Sequence, residues 1–476
     1  MWQTKMSVKK TAAMNNYAST IAAVSTPPGK GGVAVIRISG GGALDIAATV
    51  FRPKSKKDFK DATPRMQIRG DIIYGEEVID DGMATYFKAP ASYTGEDTVE
   101  ISCHGGILVT ETVLEAVFAA GARPAGAGEF TRRAFINGKL SLVEAEAIGN
   151  LLEAESREQI KLASLKSRET LSEEIAEIRS ALTSVLSSTY ARIDYPDEDL
   201  GDFSDAEAVE ILSKTAEKTE KLISTYKTGK AVNEGIKTVI CGKPNVGKST
   251  LYNLLLGHEA AIVTDIEGTT RDVLSEKIPF GKVMLHLSDT AGVRHNSDDP
   301  IEKIGIERSL EKISDSELII AVFDLSREFD RADKELIEKV KGSAAGKIAI
   351  LNKCDLAEKF NRNLLSDVFD TVIEVSAKSK KESAAELLKS TVNAMFTDEK
   401  ISIGTDAVVA SARQNASLVR ALDLTKSAIS AYVSGISVDA ASSDIELALS
   451  SIAELDGREV SEAVVSDIFA KFCVGK

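Results

Sequence analysis

Ile236-Lys237-Thr238-Val239-Ile240-Cys241-Gly242-Lys243-Pro244-Asn245-Val246-Gly247-Lys248-Ser249-Thr250-Leu251 passes from an apolar, β-branched run into a glycine-bounded loop and then into helical spacing. The order predicts a strand over Ile236–Cys241 and a helix over Thr250–Leu256, with the pattern Gly-x-x-x-x-Gly-Lys-Ser between them. That context is the one a phosphate-binding loop needs. Glycine lets backbone N–H groups turn inward around phosphate oxygens, and the helix N-terminus adds positive potential. Lys248 is placed to reach the β- and γ-phosphates and Ser249 to ligate Mg2+. A nucleoside triphosphate site on an α/β domain with a mostly parallel sheet follows.

Moving outward, Val283–Ser288 reads as a strand leading into Asp289-Thr290-Ala291-Gly292. In this element Asp289 is expected to hold Mg2+ through water, and the Gly292 N–H to face the γ-phosphate. Between the two loops lies Gly268-Thr269-Thr270-Arg271-Asp272, where Thr270 completes the Mg2+ shell only while the γ-phosphate is present. The GTP-lining set is Asn245, Val246, Gly247, Lys248, Ser249 and Thr250, then Thr264, Asp265, Ile266, Glu267, Gly268, Thr269 and Thr270. Asp289, Thr290, Ala291 and Gly292 continue it, with Asn352, Lys353 and Asp355, and Ser376, Ala377 and Lys378.

Base identity is carried by Asn352-Lys353-Cys354-Asp355, after a strand over Lys347–Leu351. The Asp355 carboxylate can accept from guanine N1–H and its 2-amino group, whereas adenine N1 is itself an acceptor and would leave the carboxylate unpaired. GTP is therefore expected over ATP. Ser376-Ala377-Lys378, after a strand over Thr371–Val375, supplies a backbone N–H for guanine O6. Many GTPases carry Gln directly after the glycine of this second element, but here that residue is Val293. Valine cannot orient water, so Asp298, Asp299 and Glu302 are the candidates downstream.

Around this core the chain of 476 residues implies two or three domains. Tyr17 to about Asn137 mixes strands (Ile21–Ser25, Gly32–Ser39) with a helix near Leu108–Phe118 and reads as a small α/β domain. From Leu140 the period becomes helical, with Leu142, Ala145, Ile148 and Leu152 on one face, and helix resumes after Thr397 with Ile445, Leu449, Ile452 and Leu455. The economical architecture is a multidomain α/β plus all-α chain in which a G domain is inserted into a helical domain. The boundaries expected are an extension over 1–16, an N-terminal α/β domain over 17–138, helical segments over 139–233 and 398–476, and the G domain over 234–397. Gly29-Lys30-Gly31-Gly32 and Gly40-Gly41-Gly42 fail the phosphate-loop and dinucleotide patterns and read as turns.

Composition excludes several classes. With 43% hydrophobic and 27% charged residues, and no apolar run near the ~18 residues of a membrane span, no membrane association is expected. A net charge of −14 argues against a broad nucleic-acid-binding face. Cys103, Cys241, Cys354 and Cys473 match neither a metal spacing nor a disulfide framework, which fits a reducing cytoplasmic setting. The lysines in residues 1–20, without an apolar core, argue against a secretory signal and leave a transit peptide or an expression remnant open. The eight acids between Asp194 and Glu210 read as a solvated connector.

Asp289-Thr290-Ala291-Gly292-Val293-Arg294 followed by Ile301 to Arg308 resembles the tRNA modification GTPase family MnmE, also called TrmE. Thr26 to Val33, Tyr93-Thr94-Gly95-Glu96-Asp97, Cys103-His104-Gly105-Gly106, Gly128 to Phe135 and Phe472-Cys473-Val474-Gly475-Lys476 are similar to further signatures of it. The resemblance implies a homodimer with a folate-binding N-terminal domain. It also implies an FAD-dependent partner, MnmG, in a heterotetramer that modifies C5 of the wobble uridine of tRNA. It further implies K+ bound by Asn245, Thr264, Ile266 and Thr269, and water oriented by Glu302. 5-Formyltetrahydrofolate would meet Arg37, Glu100, Lys139 and Lys476, and Cys473 would act in catalysis. The segment after Phe472 is expected on the helical domain, away from the guanine pocket, with the N-terminal site as a candidate neighbour. The rival class is a regulatory GTPase gating RNA or ribosome assembly without taking part in modification.

Overall fold

The computed structural model describes residues 19–55, 57–194, 203–257, 275–288, 312–379, 381–435 and 438–475. They form two compact units, one made of Met1–Gly149 with Ala453–Lys476, the other of Asn150–Ile452.

In the first unit, strands β1 (Ile21–Val24), β2 (Val33–Ser39), β3 (Phe51–Pro53), β4 (Gln67–Tyr74), β5 (Glu77–Phe87), β6 (Thr98–His104) and β7 (Arg123–Pro124) make one sheet. Its order is β3-β4-β5-β6-β2-β1-β7. Ile36, Ile38, Ile72, Val99 and Ile101 are buried beneath the helices Ala43–Val50 and Ile107–Ala119, which supply Ile46, Val50, Val113 and Val117. Each such apolar side chain removed from water stabilises the fold by roughly 1.5–3 kcal/mol. The expected stripe on the helix Leu142–Leu152 finds its partners far along the chain. Leu142 and Ala145 are buried with Val465, Phe469 and Phe472, Ile148 packs at the edge, and Leu152 stays exposed.

Two of the signature stretches meet inside this unit. Arg133, 1% exposed, donates to Glu96 at 2.9 Å, to Glu129 at 3.1 Å and to the Ser19 carbonyl at 2.9 Å. A buried guanidinium requires such compensation. Its carboxylate partners come from the Tyr93–Asp97 and Gly128–Phe135 stretches, so those motifs are in part structural.

In the second unit, β8 (Ile236–Gly242), β9 (Ser275–Phe280), β10 (Val283–Ser288), β11 (Leu318–Asp324), β12 (Gly346–Asn352) and β13 (Thr371–Val375) form a six-stranded sheet ordered β13-β12-β11-β8-β10-β9. All neighbours are parallel except β9 and β10. β9 was not expected from the sequence; its Pro279 is tolerable because the strand lies at the sheet edge. Alternation along the central strands feeds two cores, as a sheet covered on both faces demands. Ile320, Val322, Ile348 and Ile350 pack with Leu251 and Leu255, while Ile319, Ala321, Phe323 and Leu351 pack with Leu336, Ile337 and Val340.

Helices from before and after the sheet pair with each other. Asp205–Ser224 packs against both Leu165–Asp194 and Ala412–Val433. The Thr189 and Tyr432 hydroxyls lie 2.6 Å apart in the interior, and the Val409 N–H donates to Thr225 Oγ1 at 3.0 Å. The acidic connector ends in a capped helix start, where Ser204 accepts from the Glu207 N–H, and Asp205 pairs with Arg192 at 2.6 Å. The molecule is thus α/β plus all-α.

Candidate functional site

The phosphate loop leaves β8 at its carboxyl end in the middle of the sheet, where open α/β folds bind ligands. Gly242 has φ +147 and a Cβ there would come within 2.5 Å of the Val322 carbonyl oxygen. Gly247, at φ +103, leaves no room either, since a Cβ would meet Asn352 Nδ2 at 2.1 Å. Only glycine fits both ends of the loop. Between them Asn245 adopts φ +61 and is exposed, while Val246 is buried. Ser249 and Thr250 lie half-buried in the first turn of the helix Lys248–Gly257. Lys248 Nζ donates to the Gly242 carbonyl at 2.9 Å and to the Lys243 carbonyl at 2.7 Å, curling over the cradle.

The base-reading loop is tied to this cradle by two side chains. Asn352, buried at the end of β12, donates from Nδ2 to the Val246 carbonyl at 2.8 Å and accepts from the Ala377 N–H at 3.1 Å. Lys353, at φ +64, donates to the Asn245 carbonyl at 3.0 Å and to Asp324 Oδ2 at 2.5 Å. Asp355 is exposed and accepts from the Ser379 hydroxyl at 3.1 Å. A hydrogen bond from Ser376, with a smaller contribution from Ser379, holds its carboxyl below the usual value. It therefore remains the acceptor that guanine requires. Ser376 and Ala377 are buried and Lys378 exposed.

Sequence reasoning missed Asp324. It ends the all-buried strand β11, and its side chain is 2% exposed. Burial works to raise its carboxyl, but hydrogen bonds from Lys353 and from the Ser326 hydroxyl and N–H outweigh this and hold it low. The available signal was a carboxylate closing an otherwise apolar central strand beside the cradle. Lys243 is likewise fixed, by Asp330 at 2.8 Å and Asp333 at 2.6 Å. These arrangements fit a nucleoside triphosphate and its cation: glycine cradle, lysine, hydroxyl and carboxylate acceptor are all on one loop cluster. Thr264 to Thr270, Asp289, Thr290, Ala291, Gly292 and Glu302 lie outside the described residues, as does Lys476.

In the first unit, Arg37 on β2 and Glu100 on β6 are register partners, and Arg37 Nε donates to Glu100 Oε1 at 2.9 Å. The guanidinium carbon lies 5.6 Å from both the Tyr93 and Phe130 ring centroids, a cation–π arrangement. Lys139 Nζ donates separately to the Pro90 carbonyl at 3.2 Å. Arg37 Nη1 donates to the Gly475 carbonyl at 3.3 Å, so the segment carrying Cys473 lies on this patch. Cys473 is exposed.

Comparison with known proteins gives the family. The family model described as the GTP-binding protein TrmE N-terminus matches residues 20–139, and that of the MnmE helical domain matches 142–473. The tRNA modification GTPase MnmE of Thermotoga sp. (strain RQ2) is 38% identical over 460 residues, covering 96% of this chain and 100% of that protein. That of Thermoanaerobacter pseudethanolicus is 37% identical over 459 residues, 96% and 99% of the two chains. That of Thermotoga maritima is 38% identical over 460 residues, again 96% and 100%. Nucleotide cradle, helical bundle and N-terminal sheet therefore belong to one recognised plan, and the chain is a member of the MnmE (TrmE) family of tRNA modification GTPases.

Proposed function

We propose that this GTPase is K+-dependent and acts with the FAD-dependent protein MnmG to modify C5 of the wobble uridine of tRNA, with a tetrahydrofolate one-carbon donor. The product is of the aminomethyl or carboxymethylaminomethyl type. The working assembly is a homodimer joined to MnmG as a heterotetramer, in the cytoplasm. Among the described residues no helix is long and apolar enough to cross a membrane. The functional domains are 17–138, 139–233 with 398–476, and 234–397, with 1–16 an extension.

The observation that carries this reading is the joining of cradle and base-reading loop through Asn352 and Lys353, in a chain 38% identical to tRNA modification GTPases. In the site, Lys248 neutralises the transferring phosphoryl charge, Ser249 and Thr270 hold Mg2+, and Asp355 selects guanine. Asn245, Thr264, Ile266 and Thr269 would hold K+, which supplies the charge an arginine finger supplies elsewhere. Glu302 orients water. Arg37, Glu100, Lys139 and Lys476 form the folate subsite, and Cys473 is the nucleophile nearby. The packing of the Cys473–Gly475 segment against Arg37 supports that last assignment.

The test combines purified chain, MnmG, tRNA, GTP and a one-carbon donor, with the nucleosides read by mass spectrometry. Modification in KCl, absent without GTP and slower in NaCl at equal ionic strength, is expected. Normal K+-stimulated hydrolysis with an unaltered nucleoside profile would turn the reading toward a purely regulatory GTPase.

A further inference from the structure

The segment from Cys473 to Gly475 is fastened at two neighbouring places. Val474 forms an antiparallel bridge with Ala127, and the Gly128 N–H donates to the Cys473 carbonyl at 3.4 Å. One residue on, the Gly475 carbonyl accepts from the Ser25 hydroxyl at 3.1 Å and from Arg37 Nη1 at 3.3 Å. Just upstream, buried Phe472 packs on Phe469, with ring centroids 5.5 Å apart. Cys473 and Val474 therefore sit exposed between two buried anchors, Phe472 and Gly475.

The second anchor has no slack. Gly475 holds φ +102, and a Cβ there would approach the Val24 carbonyl oxygen to 2.1 Å, which no side chain survives. Arg37 is itself restrained, because Glu100 accepts from its Nε and its guanidinium carbon lies over both the Tyr93 and the Phe130 ring. A charged donor so restrained gives a stronger and more directional bond than a mobile one.

We propose that Ser25, Arg37 and Gly475 form a latch that positions Cys473. Beside its place in the proposed folate subsite, Arg37 is then also a positioning residue: its Nε and Nη1 bond Glu100 and the Gly475 carbonyl, and through the latter it holds the segment that carries Cys473. The latch stands on these contacts alone, while its consequence for tRNA modification rests on the reading of Cys473 given above.

Both parts are separable by experiment on the full chain. Because the Gly128 N–H donates to the Cys473 carbonyl, its deuterium exchange, read by peptide mass spectrometry, follows release of the segment in wild type, Ser25→Ala, Ser25→Thr and Gly475→Ala. Amides paired between β2 and β6 serve as internal standards of folding. Loss of one hydrogen bond of ordinary net strength shifts a local opening equilibrium about five-fold. Ser25→Ala should accordingly speed Gly128 exchange about five-fold, Gly475→Ala at least as much, and Ser25→Thr, which keeps the hydroxyl, should match wild type. GTP hydrolysis should be unchanged throughout and wobble-uridine modification should fall with the latch. Wild-type exchange in both Ser25→Ala and Gly475→Ala overturns the latch. Faster exchange with undiminished modification upholds the latch and overturns its consequence for modification. If the β2 and β6 amides also lose protection in Gly475→Ala, that variant has unfolded and Ser25→Ala alone decides.

Discussion

Lys353 Nζ lies 2.5 Å from the Asp324 carboxylate while also donating to the Asn245 carbonyl, so a buried acid on β11 holds the phosphate loop through a residue of the base-reading loop. Replacing Asp324 by Asn keeps the shape and removes the charge. Charge-assisted bonds contribute about 1.5–3 kcal/mol, so GTP affinity should drop about ten-fold or more, with kcat at saturating GTP nearly unchanged. The folded-state carboxyl is depressed below its usual 3.8, so its contribution is complete above that value and lost only as pH falls through the lower one. Equilibrium titration with a fluorescent GTP analogue at neutral pH checks this; wild-type affinity in Asp324→Asn would refute it.

Asp355→Asn should weaken GTP and strengthen XTP, because xanthine presents a C2 carbonyl where guanine has its 2-amino group. Competition between GTP and XTP for the variant measures the exchange. An unaltered GTP affinity would remove Asp355 from base reading.

Gly229 lies in the helix Tyr226–Asn233 where the helical segments close on one another, and an added Cβ would come within 2.1 Å of the Val409 carbonyl oxygen. Backbone cannot yield as a side-chain end can, so Gly229→Ala should destabilise this unit by about 2 kcal/mol or more despite alanine's better helix propensity. Differential scanning calorimetry should show a lower transition temperature for it. A rise instead would mean that the two segments separate freely there.

His104 Nδ1 meets Asp80 Oδ1 at 2.7 Å, and this hydrogen bond, with the charge of the same carboxylate, raises the imidazole above its usual 6.5. The pairing therefore favours the fold below that value and its benefit fades as pH rises through the higher folded-state midpoint. An NMR titration should place the His104 midpoint above 6.5 in wild type and lower it in Asp80→Asn. Equal midpoints would dismiss the pairing.

The nucleotide half of this architecture was legible because its signals are local: β-branched strands of about the right length, each followed by a loop whose residue types are set by phosphate or base. What stayed hidden depends on pairings distant in sequence. Periodicity put Leu142 and Ala145 on an apolar face but could not name Phe469 and Phe472 as their partners. Nor could it show that Arg133 is buried between Glu96 and Glu129, or that Gly475 is seated on β1 and β2. Asp324 escaped because a single carboxylate closing an apolar strand has no spacing to recognise.

The points where the chain leaves the helical bundle for the nucleotide sheet and returns from it are side by side: Asn233 Nδ2 donates to the Ala410 carbonyl at 3.3 Å, and the Asp398 N–H donates to Thr228 Oγ1 at 2.9 Å. To the bundle, everything between is a single closed loop, and lengthening such a loop costs only logarithmically. The sheet can therefore be excised and its two stumps joined by a short linker without parting the helices.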